Sequence, residues 1–232
     1  MGRSYYHDLS ALRARFALPA KGVIHVGAHL GQEAPLYDAA GLTRQVWVEP
    51  TPDVFERLRS NLPARPEVRA FQAACGDRNG TAPMFVLANR DGGANSLLEP
   101  RTHLDDYPQY PLSGTINVPV RRLDDLLSEH GLAPADFNWL TLDTQGFELP
   151  VLRGADAVLE HVDAVNTEVF TGEVYSGCTK LAELDAYLAA RGFRRVICEL
   201  GKRGFGDAFY VRPQYLSAWQ RRRLEWLGVP RR

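Results

Sequence analysis

The chain has 232 residues, 45% of them hydrophobic and 24% charged. Those proportions belong to an ordinary globular protein with room for one sizeable core, and they exclude fibrous and disordered classes. A formal net charge of −1 gives no surface-wide field to gather a polyanion, so no nucleic-acid partner is expected. No stretch approaches the roughly twenty apolar residues of a membrane span, and the first twelve residues lack the apolar centre of a signal peptide. A cytoplasmic location is expected.

Residues 4–16 read as a helix. Val23-Ile24-His25-Val26-Gly27 is a β-branched strand ending in a glycine turn, and Gln45-Val46-Trp47-Val48-Glu49 is a second strand closed by Pro50-Thr51-Pro52. Helical spacing follows over 53–62, with Asp53 as its expected cap. A third strand is predicted over 68–75, stopped by Gly76-Asp77-Arg78-Asn79-Gly80, with a hairpin return over 81–87. Residues 88–119 are rich in Asn, Gly, Pro and Asp, and so long a break in the rhythm predicts a lid or binding loop. A short strand (118–121) and helix (123–127) precede a fourth core strand at 138–143 and a fifth at 164–170. A helix over 180–191 carries Leu181, Leu184 and Leu188 on one face, and strands at 193–199 and 208–211 close the sheet.

Strand-length apolar runs alternating with helical segments predict a mostly parallel sheet covered by helices on both faces, in one domain: an N-terminal helix (1–20), a core (21–213) and a basic helix or tail (214–232). Arg221, Arg222, Arg223, Arg231 and Arg232 in that tail read as a solvated face. Cys75, Cys178 and Cys198 are odd in number and far apart, the pattern of reduced thiols rather than of disulfides or zinc ligands.

In an open parallel sheet the ligand sits beyond the strand C-termini, and the first strand–helix turn is its usual centre. Here that turn is Gly27-Ala28-His29-Leu30-Gly31. Its G-x-x-x-G spacing differs from the G-x-G-x-x-G that seats a pyrophosphate, which favours a nucleoside without phosphates. Glu49, about twenty residues on, is placed to accept from both ribose hydroxyls. Ala74 and Cys75, after the third strand, are expected to border the base. A nicotinamide-linked oxidoreductase and a catalytically silent binding module remain the alternatives.

Asp143 and Glu168 end adjacent predicted strands, so their carboxylates should share one crevice. Flanked by apolar residues, they require a cation, a donor network or a raised pKa, or else serve as a helix cap and a salt-bridge partner. A divalent ion such as Mg²⁺ held by Asp143 and Glu168 suits such oxygen ligands and would activate a hydroxyl. His103, in the long loop, is the candidate general base. Glu173 and Tyr175, just past the fifth strand, are candidate acceptor-site groups. Tyr5, Tyr6, Trp219 and Trp226 near the termini suit either a homodimer contact or closure of the protein's own core.

Residues 23–31, 46–50, 140–155 and Thr167-Glu168-Val169 resemble the FkbM family of methyltransferases. The most specific stretch is Asp143-Thr144-Gln145-Gly146-Phe147-Glu148-Leu149-Pro150-Val151-Leu152-Arg153-Gly154-Ala155, similar to the family's Asp-x-Glu-Gly-x-Glu-x-x-Val-Leu-x-Gly-Ala. The resemblance implies a Rossmann-like class I fold with a seven-stranded sheet. It also implies S-adenosyl-L-methionine as donor and, mostly, O-methylation of sugars, polyketides or related metabolites, so a small-molecule or oligosaccharide acceptor is expected. His25 and His29 stand where the family often has Asp and Asn, which places His25 among the expected donor contacts. Gln145 stands where Glu is usual, beside the expected acceptor.

Overall fold

The computed structural model describes residues 8–88 and 92–220. In chain order the first half runs α1 (Leu9–Phe16), β1 (Gly22–Val26), α2 (Ala34–Ala39), β2 (Arg44–Val48), α3 (Pro52–Asn61), β3 (Val68–Phe71), β4 (Ala74–Cys75), β5 (Gly80–Leu87), α4 (Thr102–Asp106) and β6 (Leu112–Arg121). The second half runs α5 (Leu123–Glu129), β7 (Trp139–Leu142), α6 (Glu148–Arg153), α7 (Asp156–His161), β8 (Ala164–Phe170), α8 (Leu181–Ala190), β9 (Arg194–Leu200) and β10 (Phe205–Val211).

Seven strands form the central sheet in the order β3-β2-β1-β7-β8-β10-β9. Pairing is parallel from β3 to β8, and β10 runs antiparallel between β8 and β9. This is the expected α/β Rossmann-like architecture. All five residues of β1 are buried, as a central parallel strand covered on both faces requires. Alternate residues feed opposite layers: Ile24 and Val26 pack with apolar residues of α5 to α8, and Val23 with those of α1 to α3. The chain leaves β1 toward β2 on one side and later enters β7 on the other, so the switch point of the sheet lies between β1 and β7.

Three boundaries differ from expectation. The predicted third strand splits: β3 stays in the central sheet, while β4 joins a separate sheet of order β4-β6-β5. The predicted hairpin return pairs with β6, from Gly80↔Val120 to Leu87↔Leu112, because 112–121 offers the longer partner. Residues 92–111 therefore form an insertion between two paired strands, and it contains α4. Asp53 does not cap α3, since Thr51 holds the cap position and Pro52 starts the helix. Among the described residues no helix is long and apolar enough to cross a membrane. Tyr5, Tyr6, Trp226 and the five C-terminal arginines lie outside the described residues, and Trp219 is 65% exposed.

Candidate active site

The switch point is held by its own backbone. Gly27 N and Ala28 N both donate to Val48 O, at 2.9 and 3.0 Å, and Asp143 N donates to Val26 O at 3.0 Å. Gly27 adopts φ +79°, and a Cβ there would lie 1.8 Å from the Asp143 carbonyl oxygen. Only glycine lets the end of β7 come this close. His29 also has a positive φ, 47°, which turns its N–H onto Glu49 Oε2 at 3.0 Å. The other carboxylate oxygen, Oε1, accepts from Thr51 N at 2.9 Å. Glu49 thus ties the turns after β1 and β2 together and keeps lone pairs free for a further donor. Burial pushes its carboxyl up to about 7, against the pull of those two bonds.

Over this frame lies a cavity whose walls include Gly27, Ala28, His29, Glu49, Ala74, Cys75 and Asp143. Its roof comes from the insertion and the small sheet, through Met84, Gly92, Asn95 and Leu97. Asn95 is fixed there: its Oδ1 accepts from Leu87 N at 3.0 Å and its Nδ2 donates to Thr51 Oγ1 at 3.3 Å.

A second cavity is lined by His103, Tyr107, Tyr110, Phe170, Phe205 and Glu168 among others. The two cavities share Gly93 and Gln145. Gln145 has φ 54°, and its Nε2 donates to Asp143 Oδ1 at 2.6 Å and to Glu168 Oε2 at 2.9 Å. Its Oε1 accepts from the Tyr175 hydroxyl at 2.7 Å. Burial, and then the nearby carboxyls of Asp143, Glu148 and Asp207, hold Glu168 well above the carboxylate range. Asp207 lies directly opposite Glu168 across β8 and β10 and is itself pushed up to about 7, first by burial. The Nδ1 of His103 is buried without a hydrogen-bond partner, and burial lowers its pKa, so the imidazole is neutral near pH 7.

Residues 25–195 match the methyltransferase FkbM domain. The 2-O-methyltransferase NoeI of Sinorhizobium fredii is 32% identical over 166 residues, covering 68% of this chain and 67% of NoeI. The chain belongs to the FkbM methyltransferase family. Solved structures similar to it include a Streptococcus agalactiae protein of the NADB-Rossmann superfamily (TM-score 0.49, 11% identity, 89% of this chain and 68% of that one). Another is magnesium protoporphyrin IX methyltransferase from Synechocystis with bound S-adenosylmethionine (TM-score 0.46, 10% identity, 88% and 77%).

Within this FkbM methyltransferase the expected residues fall into distinct places. Gly27, Ala28, His29, Glu49, Ala74, Cys75, Asp143 and His25 converge on the first cavity. Gly31 does not line it; at φ +73° its missing Cβ clears Leu58, 2.8 Å away, so it serves the packing of α3. His103 and Glu168 reach the second cavity. Tyr175 is fully buried behind Gln145 and lines neither cavity. Glu173 is exposed, paired with Arg101, and lines neither cavity. The expected Mg²⁺ site at Asp143 and Glu168 finds no support in the side chains. The donor network occupies that place through the Gln145 amide, and among the described residues no three His, Cys, Asp or Glu side chains are arranged to hold a metal ion.

Glu148 was not singled out by the sequence reading. Its Oε1 accepts from Thr144 N, Thr144 Oγ1 and Gly146 N, each at 3.1 Å, shaping the loop that presents Gln145. Its position at the start of α6, two residues past a glycine, is the available signal.

Proposed function

We propose that this methyltransferase transfers a methyl group from S-adenosylmethionine to a hydroxyl of a sugar or glycoside. The reading is carried by one observation: two cavities of different chemistry abut at Gln145, one centred on the β1 turn and Glu49, the other walled by aromatic rings, an imidazole and a carboxyl. The first fits a nucleoside without phosphates. Glu49 has lone pairs for ribose hydroxyls, and among the described residues no Lys or Arg lines the cavity to balance a pyrophosphate. The printed activity of NoeI, a 2-O-methyltransferase, supports oxygen as the acceptor atom.

Bound donor supplies an electrophilic methyl group on a sulfonium. The protein's residues then supply placement and proton removal. Asp143 faces the donor side and Glu168 the acceptor side of the Gln145 amide, which keeps two carboxyls close without a metal. Ring faces of Tyr107, Phe170 and Phe205 offer a stacking wall for the apolar face of a sugar. Neutral His103 takes the hydroxyl proton as general base, and Glu168 orients the same hydroxyl. Cytoplasmic location fits a reaction that draws on a soluble donor.

The test is formation of S-adenosylhomocysteine from purified full-length protein with a panel of glycosides, with and without EDTA. Turnover that requires a hydroxylated glycoside and survives EDTA is expected. Donor turnover only with amine acceptors would overturn the hydroxyl assignment, and loss of activity on chelation would overturn the metal-free one.

A further inference from the structure

The wall of the second cavity carries the rings of Tyr107, Tyr110, Phe170 and Phe205 and a single carboxyl, that of Glu168. Among the described residues no Lys or Arg lines it. The rings stand in two stacked pairs, Tyr107 with Tyr110 at 6.4 Å and Phe170 with Phe205 at 6.2 Å between centroids. Aromatic faces are electron-rich and attract cations. Tyr107 already shows that attraction: the guanidinium carbon of Arg203 lies 4.4 Å from its ring centroid. Arg203 is not part of the wall, and its charge is matched by Asp106, with Nε 3.4 Å from Oδ1.

Behind Glu168 the charge is one-sided. Asp207 lies opposite it across β8 and β10, and burial, with Asp143 and Glu148 adding to it, favours the protonated acid. Donors are scarce as well. The Gln145 amide gives its N–H groups to Asp143 and Glu168, and Glu148 Oε2 is buried without a partner. A ligand that brings a positive charge with N–H donors would offset both shortages at Glu168, the carboxyl of this group that opens on the second cavity. A uronate or a phosphorylated sugar would meet a carboxyl and ring faces there, which repel it.

We propose that the acceptor is an amino sugar with a free amine, its ammonium group held by the Glu168 carboxylate and the surrounding ring faces, next to the hydroxyl that is methylated. The inference rests on the glycoside reading above and narrows it. A carboxylate has lone pairs enough to accept from both the ammonium and the neighbouring hydroxyl. An ammonium nitrogen has no lone pair. The carboxylate that binds it therefore also keeps the nitrogen from competing with the hydroxyl for the methyl group.

Isothermal titration of the full-length protein, with S-adenosylhomocysteine present, compares matched methyl glycosides: the glucosaminide and galactosaminide, their N-acetyl derivatives, and the parent glucoside and galactoside. Wild type should bind a free amine at least about tenfold more tightly than its neutral counterparts, the size of one hydrogen bond to a charged group. In Glu168→Gln, similar in shape but uncharged, that preference should fall to within about threefold. Tyr107→Leu should leave an intermediate ratio, and far-ultraviolet circular dichroism establishes that both variants are folded. In turnover, tandem mass spectrometry should find the methyl group on oxygen, with neutral glycosides still accepted at higher KM. Equal affinities for amine and N-acetyl forms in wild type, or an unchanged ratio in folded Glu168→Gln, overturn the inference and leave the glycoside reading standing. Should Glu168→Gln fail to fold, Tyr107→Leu decides it, and a ratio there equal to that of wild type is the contrary outcome. A methyl group on nitrogen overturns the inference together with the hydroxyl assignment. Wild-type protein that binds none of these glycosides overturns the glycoside reading itself and this inference with it.

Discussion

The first cavity is walled by the ends of β1, β2 and β7, strands locked into the central sheet, whereas the second takes a large part of its wall from α4 and the turns of the 92–111 insertion. The first therefore carries its polar groups on backbone that has nowhere to move: Glu49 is tied to two turns, and Gly27 touches the carbonyl of residue 143. The second takes His103 from a five-residue helix whose cap position makes no side-chain bond, and Tyr107 and Tyr110 from the turns that follow it. A rigid site and an adjustable one meet at a single amide.

Substitutions can break that comparison. The largest effect is expected at the adjustable side: His103→Asn should lower kcat roughly 100-fold through loss of the base, while the donor Kd measured by titration stays within about twofold. A drop in donor affinity of similar size would show that the cavities are not separable. Next comes the acid cluster behind the junction. Burial pushes Glu148 up to about 7 from an ordinary value of 4.5, so the folded protein binds a proton that the unfolded chain releases at lower pH. The stability this group contributes is thus fully present below about 4.5 and is lost as pH rises through about 7. Glu148→Gln should flatten the fall in unfolding free energy between pH 5 and 8 by on the order of 2 kcal/mol, measured by urea titration at each pH.

On the rigid side, Glu49→Ala should weaken donor binding at least about tenfold, or roughly 1.4 kcal/mol, with acceptor KM unchanged; undiminished affinity would remove Glu49 from the site. Smallest of all is the surface pair of Arg101 and Glu173. Arg101→Ala should cost well under 1 kcal/mol in thermal unfolding and leave KM for the acceptor in place, since neither residue lines a cavity.

The same contrast decides what could be read from the sequence. Gly27, Glu49 and Asp143 stand at the ends of β-branched runs punctuated by glycine or proline, with Glu168 two residues inside the end of another, and such runs specify their own strands. β8 starts and stops where its apolar run does, at Ala164 and Phe170. Pairing across the insertion has no such local mark: that Gly80 lies beside Val120 depends on tertiary packing. For the same reason Glu173 and Tyr175 read as equal candidates for the acceptor site, although one faces solvent and the other is sealed behind Gln145. The Gln145 bridge was equally hidden, because it requires a left-handed backbone at a residue type that seldom adopts one.

The split between β3 and β4 has a mechanical consequence. Gln72 and Ala73 carry the chain from the central sheet to the small one, and Ala73, Ala74 and Cys75 are part of the first cavity's wall. A ligand seated there would touch the joint from which the insertion hangs. Occupancy by S-adenosylhomocysteine should then stiffen the adjoining aromatic wall and tighten acceptor binding, and the acceptor should tighten the nucleoside by the same factor. Equal acceptor affinities with and without the nucleoside would mean that the joint transmits nothing.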